Sequence, residues 1–147
     1  MIESFPLDYM HLTCLGVMLK LLNTWNNGPL KTRLGFKSMS RISDRLGFIS
    51  NAVPVEFSRK PRSLKELPRW KATELRQFLM YTGPVVLKGI LDDELFNQFL
   101  TFHLAFRILA NPSTVQDDAK KLINFVENGK ILYNKVCCLT TYTTSFA

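Results

Sequence analysis

"DDELFNQFLTFHLAFRILANP", residues 92–112, decides the fold class. Leu95, Phe99, Phe102 and Phe106 recur at three- and four-residue steps, and Phe96, Leu100 and Leu104 widen the stripe. Residues spaced this way share one face of a helix, so the stretch predicts an amphipathic helix. Asp92, Asp93 and Glu94 put negative charge at the end where helix N–H groups are unpaired. Asn111-Pro112 ends the run, because proline cannot continue the hydrogen-bond ladder.

The same period appears elsewhere. Leu12, Leu15, Leu19 and Leu22 follow it from Asp8 onward, while Val17, Met18, Leu21 and Trp25 fill the other faces. A helix apolar nearly all round is packed on several sides. Asp8 is placed to cap it, and "NNGP" at 26–29 to stop it. Residues 37–52 give a second amphipathic helix through Met39, Ile42, Leu46 and Ile49. Residues 53–68 read as a basic, proline-punctuated connector. A third helix is expected over 68–82, with Pro68 at its first position and Gly83-Pro84 breaking it; "VVLKG", 85–89, adds a further helical turn. Downstream of the opening stretch, Ser113 and Gln116 make a capping-box pattern. A helix over about 114–128 follows through Val115, Ala119, Leu122, Ile123 and Val126, with Gly129 as its stop. No segment alternates with period two. The expectation is a mainly α chain of about five helices joined by short loops.

Bulk properties agree with one globular domain. The chain has 147 residues, 46% of them hydrophobic, including 11 Phe, which is enough to build a core. Three cysteines, with Cys14 far from the adjacent Cys137 and Cys138, do not make a disulfide framework and suit a reducing compartment. No secretory leader is expected. The apolar run 10–22 is broken by Thr13 and Lys20 and is too short for a membrane span. The net charge of +7 argues for an anionic partner and is silent on fold.

Catalytic signals are sparse. There is no Gly-x-Ser-x-Gly elbow and no glycine-rich phosphate loop. His11 and Cys14 lie three apart on a helix, but a zinc site needs about four ligands; a hydrogen-bonded His and a buried Cys are the plainer reading. Glu74, among Arg69, Lys71 and Arg76, reads as a contact to Lys71 at (i, i+3). "RKPRSLKELPRWK", residues 59–71, gathers Arg59, Lys60, Arg62, Lys65, Arg69 and Lys71 against Glu66 alone. Pro61 and Pro68 stiffen the segment, and Trp70 either stacks on a base or packs. Such a cluster suits sequence-independent phosphate contact, or forms a solvated basic loop.

Three stretches, in this order, resemble a family: "FPLDYMHLTCLGVMLKLL", "FSRKPRSLKELPRWKATELRQFLMYTGPVVLKGIL", and "FLTFHLAFRILANPS" followed by "AKKLINFVENGKILYNK". They are similar to transposase-domain proteins of animal genomes related to the CACTA-like DNA transposases. The resemblance covers residues 4–135 and implies the helical insertion region of a ribonuclease H-like transposase, with the core sheet largely absent. In that family an Asp, Asp, Glu set holds two divalent metals for in-line displacement at phosphate, and an Asp-x-x-His signature marks the second acid. Here that pattern is Asp8-Tyr9-Met10-His11. The resemblance therefore makes Asp8 a metal-binding, catalytic carboxylate and His11 its supporting neighbour; one carboxylate can also cap the helix.

The other two acids are not found, and residues 136–147, "VCCLTTYTTSFA", depart from the family as a divergent, unstructured tail. The expected protein is a truncated transposase-like chain, inactive alone, with no cofactor of its own although the family implies Mg2+ or Mn2+. Its partners would be DNA, bound without sequence preference through residues 59–71, or a second copy of itself, with no membrane and no small-molecule substrate. A nuclear or cytoplasmic location is expected, with the nucleus favoured by the resemblance. The alternative is a helical interaction module with no DNA role.

Overall fold

The computed structural model describes residues 10–110. Within them the chain forms five α-helices and no strand: α1 (Leu19–Asn27), α2 (Phe36–Ser50), α3 (Ala72–Gln77), α4 (Gly83–Leu87) and α5 (Asp93–Leu109). Two π-wound segments, Met10–Met18 and Phe78–Thr82, and a 3-10 helix, Leu64–Arg69, complete the set. The chain divides between Ile90 and Leu91 into two compact units. The helix expected over 114–128, the tail 136–147 and the cap role of Asp8 lie outside the described residues.

The first unit is built around the apolar N-terminal run. Met10–Met18 winds as a π-helix and passes straight into α1. Because π turns close i→i+5 bonds, the phase differs from that of a plain α-helix. The buried line is Cys14, Met18, Leu22 and Trp25, while Leu12, expected on the core face, is 59% exposed. The π segment packs against α3, whose Leu75 is fully buried. Helix α2 turns Ile42 and Leu46 inward and packs on α4 and on the 3-10 helix. Its Arg45 Nη1 donates to the carbonyls of Val86 (2.9 Å) and Lys88 (2.7 Å). That closes the C-terminal end of α4, where helix carbonyls have no partner of their own.

Two boundaries differ from the sequence expectation. The helix expected from Pro68 begins at Ala72 instead, and Pro68 sits inside the 3-10 helix. Gly83-Pro84 does not break the winding. The Gly83 N–H reaches back to the carbonyl of Phe78, and α4 follows with Pro84 in its first turn. A proline ring clashes with the carbonyl four residues back unless that turn is widened, and the π-wound Phe78–Thr82 supplies the width. After α4 the chain reverses at Lys88-Gly89. Lys88 has φ −58° and ψ 124°, Gly89 has φ +72°, and the Ile90 N–H donates to the Leu87 carbonyl at 3.0 Å. This is a type II turn, whose third position favours glycine.

In the second unit α5 starts where the charge pattern places it. The Asp92 carboxylate accepts a hydrogen bond from the Leu95 N–H at 2.8 Å, with Asp93 and Glu94 in the first turn. Phe99, His103 and Phe106 are buried, and Leu95 and Phe102 are half-buried.

Candidate nucleic-acid interface

Residues 59–71 enter the fold through leucines, not through their charges. Ser63 caps the 3-10 helix, its hydroxyl accepting from the Lys65 N–H at 3.2 Å. Leu64 and Leu67 turn into the core, and the Leu64 N–H donates to the Ser43 hydroxyl of α2 at 3.3 Å. Pro61 is buried as well. The spacing of Leu64 and Leu67 places both on one side of a three-residue turn. The polar residues between and around them face out. Arg59, Lys60, Lys65, Arg69 and Lys71 are all exposed.

The remaining two residues of the expected binding set are used by the fold. Trp70 is 6% exposed; its indole N–H donates to the Ser63 carbonyl at 3.3 Å, and its ring lies 5.8 Å from that of Phe78. Of the two roles open to Trp70, this geometry is packing. Arg62 spends its guanidinium internally. Nε and Nη2 donate to the two Glu74 carboxylate oxygens at 2.6 and 2.9 Å. Nη2 also donates to the Arg69 carbonyl at 2.7 Å, and Nη1 to Glu66 at 3.1 Å.

Glu74 meets Lys71 at the expected (i, i+3) spacing, but through the backbone: its Oε2 accepts from the Lys71 N–H at 2.7 Å, one arm of a capping box. Its partner Arg62, twelve residues back, is what sequence reasoning missed. Only 3% of its side chain is exposed, against 28% for Arg62. Burial opposes the charged carboxylate. The Arg62 hydrogen bonds, the Lys71 N–H and the charges of Arg62 and Arg59 outweigh it, and the Glu74 carboxyl is held below the usual range. Hydrogen bonding to Glu74 chiefly, against the cost of desolvation, raises Arg62 in turn. The Glu66 contact is half in solvent and adds little. The sequence signal for this arrangement is the Lys71-x-x-Glu74 spacing at a helix start, with an arginine beside a proline upstream.

The other candidates separate. His11 is exposed and Cys14 is fully buried, so the pair does not present a shared metal face. Burial raises the Cys14 thiol, with Arg76 opposing. Among the described residues no group of three or more His, Cys, Asp or Glu could hold a metal ion; Asp8 is not among them. No described helix is long and apolar enough to cross a membrane. Compared with family models, curated proteins and solved structures, the chain matches none of them.

Proposed function

We propose that this protein binds nucleic-acid backbones without sequence preference, through the exposed Arg59, Lys60, Lys65, Arg69 and Lys71. The observation that carries the reading is the division of labour in residues 59–71: the apolar side chains, Arg62 and Trp70 hold the segment in place, and five cations are left at the surface. Exposed cations are the groups that release counterions from phosphate, and the net charge of +7 favours the encounter. The resemblance to the helical region of CACTA-like transposases supports DNA as the polyanion and the nucleus as the place. Binding rather than cleavage is proposed, because the carboxylates in and beside this segment serve the fold: Glu66 and Glu74 hold Arg62.

The test is titration of a short fluorescein-labelled duplex of arbitrary sequence across a salt series. Affinity falls steeply with salt, and R59Q/K60Q lowers the slope of log affinity against log salt by about two. An unchanged slope and affinity in that variant defeats the reading.

A second reading has its own observation. Leu30, Phe36, Phe48 and Val55 are 80% exposed or more, and exposed apolar side chains in number mark interaction surfaces. A helical module that self-associates or binds another protein would follow. Sedimentation of the wild type against F36S/F48S tests it: a shift to a smaller species in the variant supports self-association, and a wild-type monomer removes that form of the reading.

A further inference from the structure

Resting on the proposed nucleic-acid contact, the geometry points to Glu74 and Arg62 as positioning residues: a buried carboxylate and a half-buried guanidinium that set the spacing of surface cations they do not join. Two of those cations are fixed directly. The Arg69 carbonyl accepts from Arg62 Nη2, and the Lys71 N–H donates to Glu74 Oε2. The same guanidinium ties residue 62, and with it the chain carrying Arg59 and Lys60, to α3 twelve positions on. Arg62 also meets Glu66, the neighbour of Lys65. Every cation of the surface is thus adjacent in sequence, or nearly so, to a point held by this one pair.

Duplex phosphates stand at fixed intervals, so cations already at matching intervals lose less freedom on binding than cations on a loose loop. The inference has an unusual sign. Glu74 is an acid near a surface meant for an anion, and charge alone says that removing it tightens binding. Positioning says the opposite. A flexible inorganic polyphosphate adapts to any cation spacing and reports charge without reporting position.

The experiment compares wild type, E74Q and R62K at one ionic strength, against the labelled duplex and against polyphosphate. R62K keeps the net charge and loses the two-pronged contact, so it answers the question even where E74Q fails to fold. Circular dichroism and tryptophan fluorescence establish which variants are folded. The expected result is duplex binding about five-fold weaker in each folded variant, with polyphosphate binding unchanged in R62K and no weaker in E74Q. Duplex binding in R62K equal to wild type, tighter binding in E74Q, or a parallel loss for both polyanions overturns the inference. A wild type that does not bind duplex, or an R59Q/K60Q variant that binds it undiminished, overturns the function reading and this one together. Those failures appear without E74Q or R62K, so the two are told apart.

Discussion

Glu74 takes three hydrogen bonds on two oxygens while almost wholly out of water. Leaving such donors unanswered is costly, and Glu74→Gln should lower stability by about 2 kcal/mol at neutral pH. The pH dependence has a definite sign. The folded carboxyl lies below its ordinary value of 4.5, so its contribution is fully present above that pH and is lost as pH falls through the depressed value. The gap between wild type and E74Q should therefore be widest near pH 7 and close in acid. Urea titrations followed by tryptophan fluorescence at several pH values measure it; a gap that does not narrow in acid shows that the carboxylate is not the source. Cys14 offers a second check at this scale. Fully buried, with its thiol raised, it should resist iodoacetamide at neutral pH in the folded C137S/C138S variant and react on unfolding; mass spectrometry reads both states.

The helices differ in how far local chemistry alone specifies them. In α5 cap, charge and apolar period lie within a few residues of one another. All three were legible in the sequence, and the cap is where the acidic run placed it. Asp92→Ala should cost about 1 kcal/mol, read as a drop in thermal midpoint. The Leu87–Ile90 turn is equally local. Gly89→Ala leaves room for a methyl group yet forces an L-residue to φ +72°, and should cost about 1 kcal/mol by the same measurement. The start of α3 and the run through Gly83-Pro84 were not legible. Rules for proline assume α winding, and a π turn is announced by no residue type. The inward face of the N-terminal run was missed for another reason: the run is apolar nearly all round, so its pattern does not single out the line that is buried, and Cys14 rather than Leu12 is in the core.

At the scale of the molecule, what the sequence conveys is composition, and what it conceals is pairing across distance. The mainly α class follows from periodicity alone and stands. The basic character of residues 59–71 is equally plain in the sequence. Which cations are spent inside and which are presented outside was not, because Arg62 finds Glu74 twelve residues away and Trp70 finds Phe78. The salt series belongs here too. Of the seven residues expected in the binding set, Arg59, Lys60, Lys65, Arg69 and Lys71 should each contribute to the slope by about one when neutralised. R62K should leave the slope nearly intact while weakening the affinity.

The wide turn at Phe78–Thr82 and the proline that follows it form a dependent pair in the sense of heredity. A π turn is an α-helix carrying one residue more than its ladder requires, so loss of one codon from this stretch would let the helix close up with its neighbours still in phase. Pro84 alone would object, since its ring needs the slack that the extra residue creates. The deletion alone should be harmful, Pro84→Ala alone near neutral, and the two together tolerated. Descendants of this gene would not shed the extra residue while keeping the proline.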